Sequence, residues 1–278
     1  MTISASKVME LRNLTGAGMM DCKKALLEVD GDLEQARDYL RKKGISVAQK
    51  KSDRETKEGG IGIAISDDQK KAAMVHLACE TDFVARNEKF DTLLAKLSHQ
   101  VLENGDQDLA NQSLVGGTGT VADLITESIS TLGENLQIIE SAILSVEGEG
   151  LVGGYVHSNK RIGVLVSISG GAPRPALEEL ARDVSMHIAA SQVHAVSSDD
   201  IDPALLAKEK EILIAQAKES GKPDDIVEKM VQGRMSKFVK EVALLDQPFV
   251  KDPEKTVQAV VKACGDELKV ERYVKLQF

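Results

Sequence analysis

The residues best suited to metal binding or nucleophilic catalysis are scattered along this sequence. They are five histidines and three cysteines: His76, His99, His157, His187 and His194, with Cys22, Cys79 and Cys264. None of them forms a close-spaced ligand pair, and the chain has no HExxH pattern, nucleophile elbow, dinucleotide fingerprint or ordered Ser-His-Asp set. The Gly-rich segment 116–120 lacks the GK[ST] ending of a phosphate-binding loop. We therefore expect no metal site and no cofactor, and the balance shifts from an enzyme towards a binding protein.

The most informative stretch is instead the segment 79–85, CETDFVA, which joins a predicted strand to a predicted helix. The apolar run 72–79 predicts a buried strand, and a helical pattern begins soon after Val84. Corners between elements lie at the surface. Phe83 therefore either packs back onto its own helix as a hydrophobic plug or is presented to a partner, and the local pattern leaves both interpretations open.

The composition is that of a globular protein with an acidic surface. Hydrophobic residues make up 42% of the 278 residues, enough for one large core or several smaller ones. The formal net charge of −9 argues against a general attraction to nucleic acid or to an anionic membrane. The odd number of scattered cysteines indicates reduced thiols. No signal peptide or membrane-spanning stretch is evident, so we expect a cytoplasmic protein.

Residues 1–45 predict a small domain of three short helices, because apolar residues recur there at helical spacing between glycine-containing turns. Met19 and Met20 follow one of these turns and, as neighbours on a helix, do not both point inward, so we expect one to be exposed. The alternative is that both pack across a helix end. Residues 46–59 are highly charged and lose the apolar period after Val47. They predict a solvated linker.

A hairpin followed by a helix occurs twice in the sequence. The first copy has predicted strands at 60–65 and 72–79, and the second has them at 153–156 and 162–168. His157 falls in the second turn, where it is exposed by position and is a candidate contact residue. The helices that follow share one spacing of apolar residues, with Phe90, Leu93, Leu94, Leu97 and Val101 in the first and Leu177, Leu180, Ala181, Val184 and Ile188 in the second. An internal duplication is the simplest explanation.

These patterns predict an α+β fold with antiparallel sheets and a duplicated core. The core's N-terminal subdomain spans 60–147, and its C-terminal subdomain spans 148–201 and 241–278. Residues 202–240 predict an inserted antiparallel helical hairpin, because a Gly/Pro turn at 220–223 joins two helical patterns. A final strand at 268–278 is predicted to join the second sheet.

Several motifs of this chain resemble those of the bacterial elongation factor Ts family. The long N-terminal match LRNLTGAGMMDCKKAL (11–26) is followed by TDFV (81–84), GEN (133–135), RIGVLV (161–166), MHIAAS (186–191), GKP (221–223) and QPFV (247–250). The resemblance covers nearly the whole chain. It implies a ubiquitin-associated-like N-terminal domain, a linker, a duplicated α+β core and a helical-hairpin insertion. At His76 and Ala78 the chain departs from the Glu and Asn that are usual in the family, which puts the hydrogen bonds bracing the corner in question.

The resemblance also implies a function and a set of contact residues. Members of this family are guanine nucleotide exchange factors for the GTPase elongation factor Tu, and perform no covalent chemistry. In the family the corner carrying Asp82 and Phe83, flanked by Thr81 and Val84, docks on the GTPase nucleotide domain and disturbs the groups that hold Mg²⁺ and the GDP phosphates. The residues matching Met19, Met20 and Lys23 grip the same domain, and those matching Leu132, Gly133 and His157 contact another.

Two other function classes compete with this one. A small-molecule enzyme would need a deep polar pocket, and the missing motifs disfavour it. A ribosome- or RNA-binding adaptor is disfavoured by the acidic balance. The equivalent corner of the second copy, 170–173, carries no aromatic residue, so the fold does not require one there and an exposed Phe83 is favoured. A homodimer or a two-to-two assembly with the GTPase, through the core or the hairpin, stays an open alternative.

Overall fold

The chain folds into helices and small β-sheets, which gives an α+β fold. The computed structural model describes residues 3–218 and 223–278. The helices are α1 (Ala5–Thr15), α2 (Met19–Glu28), α3 (Leu33–Lys51), α4 (Asp82–Ala85), α5 (Glu88–Asn104), α6 (Val121–Leu132), α7 (Arg174–Ala190), α8 (Pro203–Lys218), α9 (Asp224–Val242) and α10 (Val257–Cys264). The strands are β1 (Glu58–Ile65), β2 (Lys71–Cys79), β3 (Leu136–Ser145), β4 (Gly150–Val156), β5 (Ile162–Ser169), β6 (Pro248–Phe249), β7 (Asp252–Thr256) and β8 (Lys269–Gln277).

The chain divides into two compact units. The first contains the chain up to Ala64, Ala73–Ile143 and Asn159–Arg161, and the second contains Ile65–Ala72, Leu144–Ser158 and Ile162–Phe278. Within residues 3–218 and 223–278, no helix combines the length and the apolar composition that a membrane crossing needs.

The three N-terminal helices form a small core of their own inside the first unit. Leu11, Cys22 and Leu26 are fully buried in it. The Ser4 side chain caps α1, and Gly16 ends that helix with a φ of 66°, a left-handed conformation that glycine adopts without steric cost. The predicted helices are therefore present, and their short apolar stripes pack against one another.

Helix α3 is longer than its apolar pattern predicts. The sequence predicts a linker at 46–59, but the helix continues to Lys51, so residues 46–51 are helical. Long-range contacts with α6 explain the extension: the Arg41 guanidinium lies 2.8 Å from the Asp123 carboxylate, Ala48 packs on the first unit's core, and Gly44 lets the backbone approach Ser130. These partners lie about 80 residues or more away in the sequence, so no local period reveals them.

The two three-stranded sheets have the same strand order. The first sheet is ordered β1-β2-β3 and the second β4-β5-β8, so that in each a hairpin is followed by a third strand beside the returning strand. In the second sheet both pairings are antiparallel. The prediction that the last strand joins the second sheet is confirmed.

Close glycine contacts recur at matching points of the two hairpins. A Cβ atom on Gly59 would lie 2.2 Å from the Leu77 carbonyl oxygen, and one on Gly150 would lie 2.2 Å from the Ile168 carbonyl oxygen. Both glycines have positive φ, 155° and 128°. In each unit a glycine at the start of the hairpin therefore lets the two strands approach at a point that has no room for a side chain.

The helices behind the two hairpins also match. Helices α5 and α7 are each 17 residues long, and in each a buried serine donates to the carbonyl four residues earlier, Ser98 to Leu94 and Ser185 to Ala181. The predicted apolar residues of both helices are buried. This repetition supports the internal duplication that the sequence predicts.

Helices α8 and α9 pack against each other through Leu213, Ala217, Val227 and Val231. Most of the predicted 220–223 turn lies outside the described residues. Nearer the C-terminus, Pro253 lies in β7, which pairs with β6, and α10 begins directly after this strand at Val257.

The core of the second unit contains a buried polar group, His187. Its Nε2 lies 2.8 Å from Gln247 Oε1, and its Nδ1 accepts from the Val250 backbone N–H at 3.1 Å. Because Nδ1 accepts, the proton is on Nε2 and the ring is neutral. Burial lowers the pKa of His187 below its ordinary value of 6.5, against the opposing effect of the Gln247 hydrogen bond.

A first prediction concerns the matching glycines. Replacing Gly150 by Ala should lower the free energy of unfolding by about 3 kcal/mol, because the new methyl group meets the Ile168 carbonyl and the backbone is strained. The matched control is Gly148→Ala, which also has a positive φ (67°) but has nothing within 4 Å of the added methyl. Urea unfolding compares the two. Equal losses would show that backbone strain alone acts and that the close approach is unimportant.

A second prediction concerns pH. Between the lowered folded-state pKa of His187 and the ordinary 6.5, the unfolded chain binds a proton that the folded chain does not. The stability associated with the neutral ring is therefore complete above 6.5 and is lost as the pH falls below it. Urea unfolding of wild type and His187→Gln at about pH 7.5 and about pH 5.5 measures this loss, which should be smaller in the variant. An equal loss in both proteins would assign the acid sensitivity to other groups.

Candidate functional site

The segment between β2 and α4, the corner, holds Phe83 out into solvent. Thr81 caps the short helix α4, its hydroxyl accepting from the Val84 N–H at 3.4 Å. Val84 is buried against the first unit's core, whereas Phe83, one residue before it, is 82% exposed. The ring therefore does not plug its own helix, and the buried Val84 anchors the turn that displays it.

One carboxylate holds the backbone of the corner. Glu134 Oε2 accepts from the backbone N–H groups of Thr81 at 2.9 Å and Glu80 at 3.1 Å, and Oε1 accepts from the Thr81 hydroxyl at 2.6 Å. Glu134 lies between the end of α6 and the start of β3, 53 residues after Thr81 in the chain. Hydrogen bonds to an ionised acceptor are shorter and stronger than those between neutral groups.

A second set of bonds ties the same corner to the end of α3. Glu80 Oε1 accepts from the Asn135 backbone N–H at 2.6 Å. The Asn135 side-chain amide in turn donates to the carbonyls of Ser52, at 3.3 Å, and Arg54, at 2.9 Å. Asn135 is only 2% exposed, and its amide donors are thus matched by acceptors. The corner and the segment that follows α3 are therefore fixed to one point, the entry of β3.

Asp82 contributes charge at the surface and little to the rigidity of the corner. Its carboxylate pairs with Arg86 at 3.1 Å, with the two side chains 46% and 80% exposed. Exposed ion pairs of this kind contribute at most about 1 kcal/mol. A partner that offered a better cation or N–H donor could therefore take over the carboxylate at small cost.

Cys79 closes the inner side of the corner and is not a reactive thiol. Its side chain is fully buried, and Sγ lies 3.2 Å from the Thr81 carbonyl oxygen. Burial, with a smaller effect of the Glu134 charge, raises the pKa of Cys79 to about 12. The thiol is therefore protonated at neutral pH and acts as a small apolar group.

The other candidate residues of the first unit lie on its surface or at helix ends. Met19 is 43% and Met20 74% exposed, and Lys23 is exposed on the same helix α2. Leu132 is partly buried against the core, and Gly133 ends α6 with a φ of 81° while its carbonyl accepts from the Lys51 ammonium. Leu132 and Gly133 directly precede Glu134 and so belong to the segment that holds the corner.

His157 belongs to the second unit. It is exposed, as its position in the hairpin turn predicts, and its Nδ1 lies 3.0 Å from the Tyr155 hydroxyl. Both rings border an apolar groove with a volume of about 370 Å³. Its other lining residues are Ile162, Met186, Ala189, Ala190, Val250 and Lys251. This groove can receive an apolar side chain.

The geometry provides a display surface whose backbone is held by hydrogen bonds. Among the described residues no group of three or more His, Cys, Asp or Glu side chains is placed to hold a metal ion.

The functional residue that the sequence analysis does not identify is Glu134. Its signal is present, because GEN at 133–135 is one of the family motifs, but its bonding partners lie too far away in the chain to be inferred.

A fixed corner that exposes a phenylalanine is a surface suited to binding a partner, and comparison with known proteins supplies the family. The model of the elongation factor Ts family matches residues 80–278. Elongation factor Ts of Nitratidesulfovibrio vulgaris strain DP4 is 46% identical over 285 residues, covering 100% of this chain and 96% of the relative. The Hydrogenovibrio crunogenus protein is 45% identical (100% and 92%), and that of Rhizobium meliloti 47% identical (94% and 87%). The chain belongs to the elongation factor Ts family of bacteria.

A third prediction tests whether the Phe83 ring is exposed at the corner or packs on the protein. Phe83→Ala should change the free energy of unfolding by no more than about 0.5 kcal/mol, because the ring is exposed. Val84→Ala should lower it by about 2 kcal/mol, because it empties part of a buried site. Urea unfolding measures both variants. A larger loss for Phe83→Ala than for Val84→Ala would show that the ring packs on the protein in solution.

Proposed function

We propose that this chain is a guanine nucleotide exchange factor for the GTPase elongation factor Tu, acting in the cytoplasm during translation elongation. Membership of the elongation factor Ts family supports the exchange role. In this proposal the chain is not an enzyme, since exchange requires only that it bind the GTPase more tightly when GDP is absent. GDP and the factor must then weaken each other's binding by the same ratio.

The observation that carries the proposal is the exposure of Phe83 on a corner held by hydrogen bonds. Burying an exposed phenylalanine stabilises a complex by roughly 1.5 to 3 kcal/mol. Because Thr81 and Glu80 are already fixed to Glu134, little of that free energy is lost in ordering the corner on binding. The ring can thus act as a wedge that displaces the groups around Mg²⁺ and the GDP phosphates, with Asp82 beside it.

Further contacts with the GTPase are assigned to other residues of the two units. Met19, Met20 and Lys23 form an adaptable apolar and cationic patch on α2, which we assign to the nucleotide domain of the GTPase. The segment at Leu132 and Gly133 and the groove beside His157 are assigned to another of its domains.

The proposed domain organisation follows the sequence analysis. A ubiquitin-associated-like domain occupies residues 1–45, a duplicated core occupies 60–147 and then 148–201 with 241–278, and 202–240 form the inserted helical hairpin. The matching strand order and glycine contacts of the two sheets support the duplication, and the packing of α8 on α9 supports the hairpin.

A fourth prediction tests the wedge. Phe83→Ala should slow factor-stimulated release of fluorescent GDP from elongation factor Tu by about tenfold or more, because the lost burial of roughly 1.5 to 3 kcal/mol acts on the nucleotide-free complex. Stopped-flow fluorescence at a limiting concentration of the factor measures the rate.

Val115→Ala is the matched control, since it removes another exposed apolar side chain from the same unit, 43% exposed, in the loop between α5 and α6. It should exchange at the wild-type rate. Normal exchange by a folded Phe83→Ala protein would refute the wedge.

A further inference from the structure

The polar group most heavily engaged with the corner is the Glu134 carboxylate. It accepts three hydrogen bonds, two from backbone N–H groups and one from the Thr81 hydroxyl. These donors belong to the two residues immediately before α4, the helix that carries Phe83. A single side chain from a remote part of the chain thus sets the position at which this helix begins.

We propose that Glu134 is a positioning residue for Phe83: its carboxylate fixes the backbone of the corner and, through the Thr81 hydroxyl, the first turn of α4. This inference rests on the proposed function only for its effect on exchange. Its effect on the mobility of the corner can be measured on this chain alone.

The Thr81 hydroxyl links the carboxylate to the helix. It donates its hydrogen to Glu134 Oε1 at 2.6 Å and accepts from the Val84 N–H at 3.4 Å. The hydroxyl has one hydrogen, so its use by Glu134 directs an oxygen lone pair towards the helix N-terminus. The orientation of the N-cap therefore depends on an acceptor at position 134.

This arrangement requires that both terminal atoms of the side chain at position 134 accept hydrogen bonds. A glutamine at position 134 has one carbonyl oxygen and one NH₂ group. If its oxygen accepts from the two backbone N–H groups, its NH₂ faces the Thr81 hydroxyl, whose hydrogen then has no acceptor. If the amide is turned round, its NH₂ faces two N–H donors. Either orientation leaves a donor unmatched, so Glu134→Gln tests the requirement with almost no change of shape.

The second unit has a glutamate at the equivalent position, but its side chain does not hold a corner in the same way. Glu134 lies two residues before β3, and Glu267 lies two residues before β8, the equivalent third strand. At Glu267, however, the backbone covers the corner: a Cβ on Gly170 would lie 2.5 Å from the Glu267 carbonyl oxygen. The corner of the first unit is instead held by a side chain.

The chain contains no tryptophan, so Phe83→Trp places a single indole fluorophore at the corner. The steady-state anisotropy of this indole should fall when Glu134→Gln is added, and fall further with Glu134→Ala, because the backbone donors lose their acceptor. Glu140→Gln, which removes the charge of an exposed carboxylate on β3, is the matched control and should leave the anisotropy unchanged. Thr81→Val, which keeps the carboxylate and removes the hydroxyl, should also lower it and provides a second variant if Glu134→Gln proves unstable.

The exchange assay supplies the functional readout. Glu134→Gln should slow GDP release by about tenfold, and in the Phe83→Ala background it should slow release no further, because it acts through the ring. Unchanged indole anisotropy in both Glu134 variants, or full additivity with Phe83→Ala, would overturn the inference. Normal exchange by Phe83→Ala alone would overturn the proposed wedge, while the anisotropy would still decide the role of Glu134.

Discussion

Three donors from two consecutive residues converge on one carboxylate, and the geometry of the corner depends on this convergence. Because β3 lies beside β2 in the sheet, the segment that enters β3 is brought next to the segment that leaves β2. Glu134 uses this adjacency to bind the backbone of Thr81, while Asn135 binds both Glu80 and the chain after α3. The sheet provides the proximity, and the carboxylate converts it into a defined conformation at the surface.

The two units stabilise the segment that follows the returning strand in different ways. Each has a hairpin, a helix behind it and a third strand, with a close glycine contact at the same point. After the returning strand of the second unit, Gly170 with a φ of 104° packs under the backbone at Glu267, so that corner is closed by main chain. In the first unit a side-chain anchor holds the corner and leaves room for the aromatic residue. The two units thus share strand order and glycine packing, while only the corner of the first displays an aromatic ring.

Features with a local period could be predicted from the sequence, and features that depend on distant partners could not. The apolar stripes of α5 and α7 and the continuous apolar runs of the returning strands determine those elements, because burial of one helix face or of a whole strand leaves a local pattern. The predicted end of α3 is wrong by several residues, since Gly44 and Ala48 are held by α6 and the core. Exposure of Phe83 is favoured by the absence of an aromatic in the second copy. The bonds of Glu134 escape prediction, because they span 53 and 54 residues.

The continuation of α3 to Lys51 has a consequence for the kinetics of association. Helix α3 packs on α6, so that the three N-terminal helices are held in the same unit as the corner and do not hang on a flexible linker. A tethered domain would contact a partner as a second, separate event governed by an effective local concentration. With α3 packed in this way, the α2 patch of Met19, Met20 and Lys23 and the corner that carries Phe83 belong to one unit. A partner that binds both surfaces, as we propose, can therefore engage them in a single diffusional encounter.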